Sequence, residues 1–218
     1  MQFKLSILMQ NFPYLIGGLK LTLSLTLLAM LFGIALGLAL ALLKISKNVL
    51  LKRAASTYIE IIRGTPLLLQ ILVVYYVFPG FGIEFNAFTA GIVALSMNSA
   101  AYISEIFRAG IESISEGQME AAFSVGMNYA KSMRYIILPQ TIRRVLPPIT
   151  NEIVAMLKDT SLVMIISLAE LTYRSKQISA ATANVITPYV AAGAIYLIIT
   201  IPLTQYAQRL ERRFSKGD

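Results

Sequence analysis

Asn151, Glu152, Lys158, Asp159, Thr160 and Ser161 sit in a stretch, 149–169, that is otherwise apolar save for two hydroxyl residues, Thr150 and Ser167. Ionisable groups in such a setting are expensive to bury and ordinarily line a polar path. The carboxylates of Glu152 and Asp159 suit an ammonium or guanidinium, and Lys158 suits a carboxylate. On a helix, Asn151 and Lys158 are seven apart and share a face, with Glu152 at its edge. Lys158-Asp159-Thr160 divides the stretch into 149–157 and 161–169, the pattern of a broken helix whose freed backbone groups face a ligand. Asp159, Thr160 or Ser161 can N-cap the second half, whose N-terminus would favour a carboxylate. An internal Lys158–Asp159 ion pair, or the plain end of a span, is the alternative reading. A second polar stripe joins Asn98, Tyr102 and Glu105 at i, i+4 and i+7. It places Asn98 and Tyr102 on the same path, or else hydrogen-bonds neighbouring helices to each other. These residues therefore read as candidate binding groups for a small charged molecule.

The elements that must hold them follow from composition. The 218 residues are 56% hydrophobic and only 14% charged, with no Cys and no His. A soluble domain carries about 25% charged residues. Missing Cys and His exclude thiolate metal sites, Cys nucleophiles and any His general base, so catalytic and metal-binding residues are expected to be absent. A bilayer span needs about 20 mostly apolar residues. Segments 21–43, 57–78, 85–103 and 185–207 qualify, and 145–169 supplies a fourth span in chain order, broken at Lys158-Asp159-Thr160. The expected fold is an all-α membrane protein with about five transmembrane helices, forming a single domain over 1–218. A cleaved signal peptide is not expected, since 21–43 is too long for a signal h-region and four basic residues follow it. Gly33 and Gly37 form a GxxxG that permits close helix approach. Glu60 and Arg63, three apart, are expected to pair on one helix face.

Charge assigns the sides. Basic residues cluster in 44–56 (Lys44, Lys47, Lys52, Arg53), in 108–144 (Arg108, Lys131, Arg134, Arg143, Arg144) and at the end (Arg209, Arg212, Arg213, Lys216). Five spans put all three clusters on one side, and the positive-inside rule makes that side the cytoplasm. The N-terminus is then outside, and the net charge of +8 needs no nucleic acid to explain it.

The most specific sequence lies in the cytoplasmic segment 112–139. Ser115 with Gln118 has the form of a capping box. Met119, Ala122, Phe123 and Gly126 recur at i, i+3, i+4 and i+7, one helical face. Gly126 suits a left-handed helix end, and a second short helix from Tyr129 would stop near Pro139. Within this segment Glu120-Ala121-Ala122, then Gly126, then Ile136-x-Leu138-Pro139 resembles, at every fixed position, the EAA-x3-G-x9-I-x-L-P loop of ABC importer membrane subunits. Arg63-Gly64-Thr65-Pro66, the run from Glu105 to Gly110, and Lys158-Asp159-Thr160-Ser161-Leu162 are similar to the polar-amino-acid branch of that family. The resemblance covers about residues 10–212.

The resemblance implies a type I ABC importer membrane-domain fold. It implies a coupling helix in which Glu120, Ala121, Ala122 and Gly126 meet a groove of a cytoplasmic ATP-binding subunit. The chain has no G-x-x-x-x-G-K-[ST] phosphate cradle, so ATP and Mg are expected on that partner, with no cofactor here. The implied partners are a pair of ATP-binding subunits, a second permease subunit (a copy or a sister chain), an extracytoplasmic substrate-binding protein, membrane lipid and a polar amino-acid substrate. Two acids beside one Lys lean that substrate toward arginine, lysine or histidine. The implied location is the cytoplasmic (inner) membrane of a prokaryote. An ion-coupled secondary amino-acid transporter is the alternative, but it leaves the EAA loop unexplained.

Overall fold

A computed structural model describes residues 2–214. Among them there are helices and no strands: α1 (Leu5–Lys44), α2 (Val49–Arg63), α3 (Leu67–Leu72), α4 (Ala87–Glu112), α5 (Glu116–Ser124), α6 (Tyr129–Ser132), α7 (Leu138–Asp159), α8 (Leu171–Thr182) and α9 (Ile186–Phe214). Helices α1, α4 and α9 are each long and apolar enough to cross a bilayer. A bent pair, α2 with Leu67–Phe81, passes the same test as a unit. The remaining expected span, on α7, is too charged to stand out by hydropathy, since the helix carries Arg143, Arg144, Glu152, Lys158 and Asp159. Its place comes from packing against α4, α9 and α1.

Helix α1 corrects the expected first span. It begins at Leu5, not near 21, and its 40 residues extend roughly 60 Å at 1.5 Å per residue. The added turns are held from a distance. Arg174 of α8 donates to the Tyr14 carbonyl at 2.8 Å, and its guanidinium lies 4.5 Å over the Tyr14 ring. Gly18 admits the contact, because a Cβ there would meet the Leu171 Cα at 2.9 Å.

The GxxxG of α1 is used against α4. A Cβ on Gly33 would lie 2.6 Å from Ser99 Oγ, and one on Gly37 would lie 2.7 Å from Ile103 Cγ2 and 2.9 Å from the Ala100 carbonyl oxygen. Around this seam Leu25, Ala29, Met30, Leu95, Ile103 and Met156 form the main buried core. Overpacking such a site typically costs about 1–3 kcal/mol. Gly37→Leu is therefore expected to lower the unfolding temperature of the purified chain in detergent by several degrees. Gly80→Ala, whose Cβ would meet nothing within 4 Å, should leave it unchanged. Equal melting of both variants would refute the seam.

The long helices gather their ends. The Lys4 N–H donates to Thr187 Oγ1 at 2.9 Å, so α1 and α9 start together. Lys44 Nζ lies 2.5 Å from Glu105 Oε1, so the last turn of α1 meets the C-terminal half of α4. Helix α7 runs the other way, with Val145 against Gly110 and Arg144 donating to the Ser113 carbonyl. The three basic clusters consequently collect at one end of the bundle. Lys216 lies outside the described residues.

Three local expectations are corrected. The second span is not one straight helix from near Thr57, because the chain turns by 105° between α2 and Leu67–Phe81. Pro139 does not stop a helix: α6 passes through a π-turn at Met133–Ile137 into α7. A second π-turn, Val73–Val77, likewise precedes Pro79 by two residues. Proline lacks an N–H and crowds the carbonyl four residues back, and a widened turn just before it accommodates both defects. Finally, the α-helical part of α7 does end at Asp159, within Lys158-Asp159-Thr160, but the chain does not open into an irregular break. It tightens into a 3-10 turn at Thr160–Ile166. No side chain caps that turn, and the left-handed residue that ends it is Ser167, with φ 61°.

Candidate functional site

The bend after α2 is built from polar side chains. Gln70 Nε2 donates to the Ile62 carbonyl at 2.7 Å, the Thr65 carbonyl at 3.1 Å and Thr65 Oγ1 at 3.0 Å. Asn98 Nδ2 of α4 donates to Gln70 Oε1 at 3.0 Å. Both side chains are buried. Asn98 therefore ties helices together here, the alternative reading of its stripe, and Gln70 is a residue that sequence reasoning missed. Its only signal was an amide inside an apolar run.

The bend delivers Arg63 to the other members of that stripe. Its guanidinium lies 5.4 Å from the centroid of the Tyr102 ring and 3.8 Å from Glu105 Oε2. The expected Glu60–Arg63 pair is not among the ion pairs of the described residues; the acid beside Arg63 is Glu105, on another helix. Glu105 is held more closely by Lys44 at 2.5 Å and by Arg108 at 2.8 Å, and Arg108 also grips Glu112. A cavity of about 450 Å³ opens here, lined by Arg63, Tyr102, Glu105, Arg144, Pro148 and Glu152. That is within the usual size range of small-molecule sites.

Glu152 connects this cavity to the charged face of α7. Glu152 and Asp159 are seven apart on one continuous helix, so they share a stripe, and each is partly buried. Asn151 and Lys158 form the adjacent stripe and are exposed. Thr160 is fully buried, and its Oγ1 donates back to the Leu157 carbonyl at 2.7 Å. Ser161 is partly buried one residue on. The capping expectation for Asp159, Thr160 and Ser161 fails, because the backbone continues as a 3-10 turn and leaves no free helix N-terminus there.

The EAA segment forms a separate surface. Within α5, Glu120 and Ala121 are exposed and Ala122 is buried. The Gly126 N–H donates to the Phe123 carbonyl at 2.9 Å, and the Met127 N–H donates to the Ala122 carbonyl at 3.0 Å. Gly126 has φ +79°, a left-handed conformation that glycine adopts without cost. The capping box is not made: the Ser115 side chain bonds nothing at the helix start, and the Gln118 N–H donates to the Ser115 carbonyl instead. Phe123 is 48% and Val125 76% exposed, so the helix ends in apolar side chains open to a partner.

A helical bundle with one charged helix along a cavity, and an EAA helix projecting from the end that carries the basic clusters, defines the membrane subunit of an importer. Comparison with known proteins gives the family. The family model described as "Binding-protein-dependent transport system inner membrane component" matches residues 33–216, and the chain belongs to that family. It is 38% identical over 219 residues to the arginine transport system permease protein ArtQ of Bacillus subtilis (strain 168), covering all of both chains. It is 39% identical over 205 residues to the L-cystine transport system permease protein TcyB of the same organism, covering 94% of this chain and 88% of that one. A solved structure described as an amino acid ABC transporter with histidines superposes with TM-score 0.92 at 43% identity, covering 98% of this chain and 100% of that one. The protein is thus a permease subunit of an amino-acid ABC importer, with the type I importer membrane-domain fold. Relatives named for arginine and for cystine are about equally similar, so overall identity does not choose the substrate.

Proposed function

We propose that this chain passes a polar amino acid, with a lean to arginine, lysine or histidine, across the inner membrane by alternating access. Glu152 and Asp159 on one stripe of α7 carry this reading. Two acids, one of them at the cavity wall, suit a cationic side chain and an α-ammonium. Tyr102, Asn151, Lys158 and Ser161 are the further proposed contacts, while Asn98 braces the helices and Thr160 bonds within its own turn. The relative named for arginine and the neighbour described with histidines agree with the lean, and the relative named for cystine does not.

Transport is driven by ATP on separate cytoplasmic subunits, which Glu120, Ala121, Ala122 and Gly126 meet through α5. A second permease subunit completes the path, and an extracytoplasmic binding protein delivers the substrate. The chain acts as one domain over 1–218, with 112–139 as its coupling segment. The N-terminus lies outside and the C-terminus in the cytoplasm, because the three basic clusters share one end.

The test is retention. The complex with its ATP-binding subunit is purified and incubated with a panel of radiolabelled amino acids. Arginine, lysine or histidine should be retained well above glutamine, cystine or glutamate. Equal retention of all, or a preference for glutamate, would refute the basic-substrate reading.

A further inference from the structure

Arg63 lines the cavity, and the reading above gives it no role. Its nearest anionic atom, Glu105 Oε2, is 3.8 Å away, beyond hydrogen-bond range. The oxygens of Glu105 are already taken by Lys44 at 2.5 Å and Arg108 at 2.8 Å. Among the described residues, the Arg63 guanidinium is held only by the Tyr102 ring at 5.4 Å and this long ion pair. No hydrogen bond among the described residues occupies this guanidinium. The N–H donors lie in its plane and stay available as a fork that matches a carboxylate.

The backbone that presents this fork is fixed. Gln70 ties the bend at Ile62 and Thr65, and Asn98 ties Gln70 to α4. The Arg63 side chain itself is 45% exposed at a cavity wide enough for an amino acid. The cavity wall carries both signs, Arg63 and Arg144 with Glu105 and Glu152, as a zwitterion requires.

We propose that the cavity between Glu152 and the basic end of the bundle is a binding station in which Arg63, steadied on Tyr102, takes the α-carboxylate of the amino acid. This inference rests on the reading that the substrate passes Glu152. It adds a recognition element for the zwitterionic backbone, separate from the acids that take the cationic groups.

The test compares arginine with argininamide, which keeps both cationic groups and lacks the carboxylate. Retention of each labelled compound is measured on the complex of this chain with its ATP-binding subunit. The native complex should retain arginine about tenfold or more over the amide, as a charge-assisted hydrogen-bonded pair allows. Arg63→Gln should lower arginine retention by about that factor and leave argininamide unchanged, making the two equal. Arg63→Lys, a point charge without the fork, should fall between. Loss of both compounds together in the Arg63 variants, loss of neither, or no native preference for arginine would overturn the proposal. Glu152→Gln, run in parallel, should lower both compounds together. If it changes neither while Arg63→Gln still removes the preference, the path reading fails and the carboxylate station stands.

Discussion

Gly126→Val is expected to cut ATP-driven uptake by the reconstituted importer at least tenfold while the chain still folds and inserts. The argument is conformational. A Cβ at Gly126 would meet nothing within 4 Å, so crowding plays no part. The residue has φ +79°, where a β-branched side chain is a strong outlier, and forcing it there costs about 1–3 kcal/mol. Helix α5 has little to resist with, since Ala122 is its only buried residue. The turn is expected to yield, and with it the placement of Glu120 and Ala121. The bundle core of α1, α4 and α7 lies elsewhere and should melt as before. Gly126→Asn, which tolerates the left-handed region, should keep most of the uptake, and Gly126→Ala should fall between. Uptake that is indifferent to this series would show that α5 does not transmit the stroke. Uptake that falls in proportion to lost folded protein would show that Gly126 matters only for stability.

What the sequence made legible was local. The EAA segment shows its helix and its left-handed glycine because each is written in consecutive residues from Glu116 to Gly126. The Gly33–Gly37 seam was legible as a surface, although its partner, Ser99 to Ile103, was not. What stayed hidden depends on contacts between distant positions. The first sixteen residues of α1 contain Gln10, Asn11, Pro13, Gly17 and Gly18, which read as a boundary; Arg174 and Leu171, over 150 positions away, make them a helix. The 105° bend has a visible Gly64-Thr65-Pro66, but those residues only permit a turn. Gln70 and Asn98 set it. At the candidate site the acids of α7 were found as ionisable groups in apolar sequence, whereas the chain geometry around them was misread. The α-helix does end at Asp159, but it passes into another helical turn, so no run of backbone groups is freed for a ligand. Three-residue hydrogen bonding then carries the chain from Asp159 to Ile166. Arg63 was assigned to Glu60 by sequence spacing, and the turn that follows it points it to Tyr102 on α4.

Removing one acid from α7 is expected to separate what each contributes. Glu152 and Asp159 are seven residues apart, roughly 10 Å along the helix axis, so one substrate group does not bridge both. Glu152 lines the cavity, and Asp159 lies one stripe position further from the basic end. Truncating one partner of a buried charge pair costs about 2–5 kcal/mol. Both carboxylates are only partly buried, which places the effect at the lower end, about tenfold or more in retention. Glu152→Gln should weaken every amino acid in the panel if Glu152, on the cavity wall shared with Arg63, takes the α-ammonium common to them all. Asp159→Asn should weaken arginine and lysine selectively and leave glutamine nearly unchanged. These changes are close to isosteric and retain hydrogen-bonding capacity, so assembly with the ATP-binding subunit should persist. A reversed pattern, with Asp159 general and Glu152 selective, would keep the site, invert the orientation of the substrate in it and remove the α-carboxylate from Arg63. If neither variant alters retention, the charged stripe of α7 serves only the structure, and selectivity belongs to the protein that delivers the substrate.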